Sequence, residues 1–285
     1  MPSAKHRTSR PGSGDAVLAR PDAQRRLEVV GCALAGHVDL RTLADARIAC
    51  ERLLPSDRED LHFSTASSDR RYRREVSEAI GATLAPAVAS LLSGLAYVFG
   101  VFVAQRPGPG MGMHHDLPFV EPGEGHAAVV WVPLDDVDER TGTLTYIPGS
   151  HRLVDEPQGT PSFPLPLRDL DPDLLASRLR MVEATAGSVI VTDPRLAHAS
   201  TPNTTDLQRT TAVLVFAPPA APLVHHWRRP DGRVERFAVD AAFYQRFDLQ
   251  ERPIGVESLG TTDLEFPAVD EERFLRTVAE AEAAR

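Results

Sequence analysis

The sequence contains only two cysteines, Cys32 and Cys50, among its 285 residues. Two cysteines cannot form the disulfide framework of a small secreted protein, and no CxxC pair indicates a structural zinc site. We therefore expect a cytoplasmic protein in a reducing compartment. Hydrophobic residues make up 42% of the chain and charged residues 25%, which is typical of a globular protein and excludes disorder along its whole length.

The sequence also lacks an apolar run suited to a membrane. Residues 79–105 carry no charge, but Pro86 and Gly94 interrupt them, and a spanning helix needs about 20 apolar residues. The Arg25-Arg26 pair is followed by an apolar stretch that Glu28 breaks at once, whereas a signal peptide needs about 7–15 such residues. We expect neither secretion nor a membrane partner.

Acidic residues outnumber basic ones in the body of the chain. The formal net charge is −9, and six of the cations lie in the first 26 residues. An acidic body is unfavourable for binding nucleic acid, so we expect no such partner. Residues 1–24 are rich in Pro, Ser, Gly and Arg, and we predict a disordered basic tail there. Residues 25–285 are predicted to form one domain, and the sequence does not indicate the oligomeric state.

The pattern of apolar runs predicts a mainly β fold with flanking helices. The 24 prolines disfavour a helical bundle. Helices are predicted at about 39–54, 69–93 and 271–284, with a short strand at 27–33. Short runs separated by turn residues indicate an antiparallel sandwich or barrel. The predicted barrel strands cover residues 97–104, 111–116, 127–133, 143–147, 187–191 and 210–216.

The most informative segment ends in His114-His115-Asp116. Residues i and i+2 of a strand point to the same face, so His114 and Asp116 should project together while His115 points away. His198, which follows another predicted strand and an Asp-Pro turn, is the natural third ligand. Two histidines and one carboxylate form the metal-binding set of non-haem Fe(II) oxygenases.

A His-x-Asp pair is not specific by itself. His37 and Asp39 form a second pair, but there Asp39 is explained as a helix N-cap and His37 as a surface residue. For His114 and Asp116, the alternative to a metal site is a hydrogen bond inside the barrel.

Arg209 favours the metal interpretation because it follows His198 by eleven residues, on the next predicted strand. A guanidinium group matches a carboxylate with two parallel hydrogen bonds. A 2-oxoacid that chelates a metal needs such a cation for its far carboxylate, and Ser200 is placed to donate a hydroxyl to the same group. The alternatives are a surface charge at a strand end for Arg209 and an ordinary loop residue for Ser200.

Four segments follow one another in this order: His114-His115-Asp116, Trp131 to Asp136, Gly142 to His151, and His198 through Ser200 and Asn203 to Arg209. In these segments the chain resembles the phytanoyl-CoA dioxygenase (PhyH) family of Fe(II)- and 2-oxoglutarate-dependent oxygenases. The similarity covers about residues 95–220, and more weakly the chain after residue 27. It implies a double-stranded β-helix (a cupin-like jelly roll) and the cofactors Fe(II), 2-oxoglutarate and O2. The implied site residues are His114, Asp116 and His198 for the metal, and Arg209, Ser200 and Trp131 for 2-oxoglutarate.

The resemblance predicts hydroxylation of an unactivated C–H bond in a small molecule. This molecule is expected to be either a compound of secondary metabolism or an amino-acid derivative. His115 stands where the family often has Gln, so the substrate is not indicated. Desaturation, epoxidation or ring closure are alternative outcomes, and a non-enzymatic cupin-like binding protein or a metal-dependent isomerase or hydrolase are alternative classes. The roles of His126 and His151 stay open, as does the choice between surface loop and pocket wall for residues 225–229.

Overall fold

The structure is a computed structural model that describes residues 16–284 except 57–58, 122, 155–158, 160–161, 248 and 250. The helices are α1 (Pro21–Val30), α2 (Leu40–Leu53), α3 (Arg70–Thr83), α4 (Ala85–Ala89), α5 (Pro172–Arg178), α6 (Ala241–Arg246) and α7 (Glu271–Ala283). The strands are β1 (Cys32–His37), β2 (Leu61–Phe63), β3 (Ala96–Gln105), β4 (Ala128–Pro133), β5 (Leu144–Tyr146), β6 (Arg180–Met181), β7 (Ser188–Thr192), β8 (His198–Ser200), β9 (Arg209–Ala217), β10 (Leu223–Arg228), β11 (Val234–Val239) and β12 (Ser258–Thr262).

Aspartate caps fix where most of the helices begin. The carboxylate of each capping residue accepts hydrogen bonds from backbone N–H groups of the first helical turn, which otherwise lack a partner. The predicted cap at Asp39 is confirmed, and the three predicted helical regions correspond to α2, to α3 with α4, and to α7. The capping residues are Asp39, Asp69, Asp171, Asp240 and Asp270.

The main element is a six-stranded sheet in the order β1-β7-β4-β9-β3-β2. Its pairs are antiparallel, and the long strand β9 pairs with β3 on one side and β4 on the other. A second sheet, β6-β5-β8, has three strands, and a cavity lined by residues of β3, β4, β9, β5 and β8 lies between the two sheets. This arrangement confirms the predicted double-stranded β-helix with flanking helices. A third sheet contains β10, β11 and β12.

The two faces of the six-stranded sheet carry alternate residues of the same strands. Phe102, Val130 and Leu214 belong to a buried apolar cluster that includes Val76 and Ile80 of α3. Their sequence neighbours on the opposite face line the cavity. The alternation of strand side chains therefore separates a helix-covered face from a cavity face.

The predicted disordered tail is too long. Residues 1–15 lie outside the described residues, but residues 16–24 have defined structure. Leu18 is buried and pairs with Leu92, while the side-chain oxygen of Gln24 accepts hydrogen bonds from the N–H groups of Val17 and Leu18. The predicted strand at 27–33 is also wrong, since helix α1 continues to Val30 and β1 begins only after it.

Two other local predictions are corrected. Residues 111–116 do not form a strand, since only His114 makes an isolated bridge, to His198. Residues 225–229 are neither a surface loop nor a wall of the cavity between the sheets. His225 and His226 lie on β10 and are 2% and 1% exposed, and the ring of His225 contacts Phe237 of β11 and Phe243 of α6. Among the described residues, no helix has the length and apolar character required to cross a bilayer.

Candidate metal centre and cofactor cavity

Three predicted ligands meet at one wall of the cavity. Ligand atoms of His114, Asp116 and His198 all lie within 4.8 Å of one another. The backbone bridge between His114 and His198 brings the two imidazoles together, with ring centroids 4.1 Å apart. His115 also touches the cavity but does not join this group. The two-residue spacing thus places both side chains of the pair at the site even without a regular strand.

Backbone carbonyls set the tautomer of both histidines. Nδ1 of His114 lies 2.9 Å from the carbonyl oxygen of Gly112, and Nδ1 of His198 lies 2.9 Å from that of Leu196. A carbonyl oxygen only accepts, so each Nδ1 is the protonated donor. The lone pair of each Nε2 is then free, which is the arrangement that orients histidine ligands in metal sites.

The electrostatics of the group favour a metal over protons. Burial and the nearby His198 together lower the pKa of His114 to about 4, although Asp116 opposes the shift. The imidazole of His114 is therefore neutral at neutral pH, as a metal ligand must be. Oδ2 of Asp116 lies 3.7 Å from Nε2 of His198 and has no hydrogen-bond partner among the described residues. A buried carboxylate oxygen without a donor fits a cation held by these three side chains.

Arg209 lies in the same cavity and is only 4% exposed. Nη2 donates to the side-chain oxygen of Gln105, and Nη1 donates to the hydroxyl of Thr211 at 3.0 Å. Both partners are neutral, and Nε has no partner among the described residues. Burial lowers the pKa of Arg209 to about 10, partly opposed by Asp135, so the group stays charged at neutral pH. A buried cation held by neutral groups is a binding site for an anion.

Gln105 and Thr211 are site residues that the sequence argument missed. The Gln105 amide nitrogen donates to the carbonyls of Pro109 and Thr201, which turns its oxygen toward Arg209. Thr211 follows Arg209 by two residues on β9, and Gln105 lies opposite Arg209 in the register of β3 and β9. A polar residue at the end of an apolar strand was the available signal for Gln105.

Ser200 and Trp131, which the resemblance assigns to 2-oxoglutarate, both line the cavity. The Ser200 hydroxyl accepts a hydrogen bond of 2.8 Å from the Met111 N–H group, which leaves its own hydrogen to donate. The Trp131 ring centroid lies 5.8 Å from the guanidinium carbon of Arg209. The indole therefore forms an apolar wall beside the cation.

The remaining histidines lie apart from the ligand group. His151 is buried in a short 3-10 helix, and its Nε2 lies 3.0 Å from the carbonyl oxygen of Glu28. This contact supports a structural role for the turn at residues 148–151. His126 and His151 line a second cavity, which also contains the Asp193–Arg195 ion pair.

A family model described as phytanoyl-CoA dioxygenase (PhyH) matches residues 35–211. The chain belongs to this family. The match includes the three candidate metal ligands and Arg209, and it confirms the resemblance inferred from the sequence. A search of curated proteins found no match to the chain.

Several solved structures share this fold. AviO1 from Streptomyces viridochromogenes Tue57 is 25% identical with a TM-score of 0.50, covering 73% of this chain and 98% of that one. The carbocyclase SnoK from nogalamycin biosynthesis is 19% identical with a TM-score of 0.55, covering 72% and 86%. The epimerase SnoN, crystallised with Fe3+, alpha ketoglutarate and nogalamycin RO, is 19% identical with a TM-score of 0.53, covering 87% and 94%. The predicted iron and 2-oxoglutarate thus agree with the contents of a structural neighbour.

Proposed function

We propose that the protein is an Fe(II)- and 2-oxoglutarate-dependent dioxygenase that hydroxylates an unactivated C–H bond of a small molecule in the cytoplasm. The single observation that carries the proposal is that one cavity contains a His-Asp-His group and a buried arginine whose hydrogen-bond partners, among the described residues, are neutral. A binding protein or a metal-dependent hydrolase needs the first feature but has no use for the second.

In this proposal His114, Asp116 and His198 hold Fe(II), while Arg209 binds the far carboxylate of 2-oxoglutarate. The Ser200 hydroxyl donates to the same carboxylate, and Trp131 excludes water from the ion pair. Bound iron would supply the site for O2 activation and 2-oxoglutarate the two electrons that O2 needs besides those from the substrate, chemistry that the protein side chains lack. The balanced reaction converts 2-oxoglutarate, O2 and R–H into succinate, CO2 and R–OH.

The side chains bind, orient and shield, while the oxidation itself belongs to the cofactors. The backbone bonds that fix both imidazole tautomers keep the Nε2 atoms directed to the metal before it binds. The Gln105 and Thr211 contacts hold the Arg209 fork in place, so little ordering is needed when the carboxylate arrives.

Fe(II) and 2-oxoglutarate, mixed with the protein under nitrogen, test the proposal directly. The expected result is the visible charge-transfer band of an iron-chelated 2-oxoacid, present in the wild type and absent in Asp116→Ala. Admission of O2 should then release succinate. No band and no succinate would refute the proposal.

The carbocyclase among the structural neighbours favours ring closure as a second candidate reaction. Ring closure and desaturation begin with the same hydrogen removal as hydroxylation and differ only in the later steps. Product analysis by mass separates the cases, since hydroxylation, like epoxidation, adds an oxygen, whereas ring closure and desaturation remove two hydrogens.

A further inference from the structure

The register of the strands divides the cavity face into rows. Arg209 lies opposite Gln105 at the start of β9, while Val215 lies opposite Phe99 of β3 and Val129 of β4. Successive residues on one face of a strand are about 6.6 Å apart, so the Arg209 and Val215 rows are separated by about 20 Å. The cavity runs past both rows and has a volume of about 370 Å³. It is therefore long enough for two ligands placed end to end.

The connection between strands shows which end of the cavity lies near Arg209. β8 begins at His198 and continues through Ser200 into the 201–208 segment, which leads to Arg209. Ser200 and Arg209 lie near this connection, whereas His198 and Val215 lie farther along their strands. An anion held by Arg209 occupies the connection end, which leaves the Val215 end for a second molecule.

The Val215 end is apolar. Among the described residues, every ionisable side chain that lines the cavity belongs to the 114–116 segment or is His198 or Arg209. A charged group at the Val215 end would lose its water without gaining a partner, whereas an apolar group is stabilised by burial. The apolar walls of this end include Phe99, Val101, Leu117, Phe119, Val129 and Val215. Thr192, opposite Val129, also lines the cavity, and its hydroxyl donates to the Val129 carbonyl at 3.2 Å.

Phe119 has an unusual backbone conformation at this wall. Its φ of 62° lies in the left-handed region, and it is the only described residue other than glycine with a positive φ. The N–H of Val120 donates to the carbonyl of Pro118 at 2.8 Å, which makes Phe119 the centre of a three-residue γ-turn. A bulky residue rarely adopts this conformation, and such strain concentrates at ligand-binding positions.

Aromatic contacts hold the Phe119 ring in place. Tyr244 stacks on Phe99 with centroids 5.0 Å apart and meets Phe119 edge-on at 5.5 Å. The Tyr244 hydroxyl donates to the carbonyl of Val224, and the N–H of Val224 donates to the carbonyl of Phe119. The two phenylalanine rings therefore form a supported wall of the cavity.

We propose that the Val215 end binds an uncharged, ring-containing apolar group of the substrate, and that Phe119 determines how well this group fits. The identification of this group as part of the substrate rests on the proposed function. The apolar site itself requires neither metal nor 2-oxoglutarate.

Two fluorescent probes test the proposal. N-phenylnaphthylamine is neutral, and anilinonaphthalene sulfonate adds one anionic group to the same skeleton. The full chain, loaded with Zn(II) and 2-oxoglutarate to occupy Arg209 without turnover, should bind one neutral probe per chain and the sulfonate at least tenfold more weakly. The neutral probe should also bind the metal-free chain. Equal affinity for both probes would overturn the uncharged class of ligand.

Variants of Phe119 separate its ring from its backbone. Phe119→Ala should weaken neutral-probe binding by about tenfold or more, the scale expected for a truncated aromatic anchor, and Phe119→Leu by less. Phe119→Gly should match Phe119→Ala in affinity yet unfold at a higher temperature, because glycine accepts a positive φ. Unequal affinities of the glycine and alanine variants would show that the backbone, not the ring, determines binding.

The control is Ile254→Ala, which alters an apolar side chain that is 79% exposed and does not line the cavity. Its affinity for the neutral probe should equal that of the wild type, and a loss would place the probe on the surface and overturn the inference. Lost 2-oxoglutarate binding with intact neutral-probe binding would refute the proposed function alone. Intact 2-oxoglutarate binding without probe binding would refute this inference alone.

Discussion

On one face of the six-stranded sheet, Phe102 and Leu214 are fully buried beneath helices. On the other face, their neighbours Val101 and Val215 line a cavity that also contains Arg209. The two faces share the same backbone, so the local geometry is identical. The comparison shows that the helix-covered face supplies folding free energy through close packing, whereas the cavity face leaves packing incomplete and presents polar groups at one end.

Asp116→Ala should show the largest difference between loss of function and loss of folding stability. Product formation should be abolished, because the metal loses one of its three ligands. Thermal stability of the metal-free protein should barely fall, but the stabilisation by Fe(II), worth about 2.7 kcal/mol at a hundredfold excess over Kd, should largely disappear. Melting curves with and without Fe(II) provide the measurement.

The second His-x-Asp pair supplies a matched control for that experiment. Asp39→Ala removes an N-cap and should cost about 1 kcal/mol of stability, while its stabilisation by Fe(II) should equal that of the wild type. Full Fe(II) stabilisation in Asp116→Ala would contradict the assignment of the metal site.

Phe102→Ala tests the opposite face. The ring is fully buried in the cluster under α3, so its removal should cost about 3–5 kcal/mol of unfolding free energy. Urea denaturation measures this loss, and 2-oxoglutarate affinity of the folded protein should be unchanged. Val101→Ala, one residue away, should cost less, because the valine already borders open space. An equal cost for both variants would mean that the two faces are packed equally well.

Arg209→Ala probes the polar end of the cavity. Truncating one partner of a buried charge pair costs about 2–5 kcal/mol, so 2-oxoglutarate should bind roughly 30- to 4,000-fold more weakly. Fe(II) affinity should change little, and Arg209→Lys should recover only part of the loss, because an ammonium group lacks the planar fork. Anaerobic 2-oxoglutarate titrations measure these effects. Arg140→Ala, which removes an exposed cation, is the control and should bind as the wild type does.

His225 is a buried histidine outside the group of candidate metal ligands. Burial lowers its pKa to about 4, and neither ring nitrogen has a partner among the described residues. The unfolded chain takes up a proton below about pH 6.5, so the unfolded state binds more protons between that pH and pH 4. Stability should therefore fall as the pH is lowered through this window, by up to about 3 kcal/mol.

His225→Phe should remove that part of the acid sensitivity, because the new ring can pack against Phe237 and Phe243 without titrating. Urea unfolding of wild type and variant at neutral and acidic pH gives the comparison. The same pH dependence in both proteins would show that His225 does not contribute.

Part of the candidate site was predictable because it is encoded locally. The two-residue spacing of His114 and Asp116 and the placement of His198 and Arg209 after apolar runs are readable in the chain itself. Gln105 and Thr211 were not, because their role depends on the register between β3 and β9. The strand predicted at 111–116 was wrong, since a single bridge to His198 suffices to hold the ligands.

The sequence by itself determined the mainly β class, the aspartate-capped helices and the identity of the three candidate metal ligands, because periodicity, capping and ligand chemistry act over a few residues. Only the tertiary structure decided which buried histidines share a carboxylate, since His225 is buried yet lies apart from Asp116. It also decided that Arg209 has neutral hydrogen-bond partners and that Phe119 adopts a γ-turn at an apolar wall. These features depend on contacts between distant segments, which local patterns do not specify.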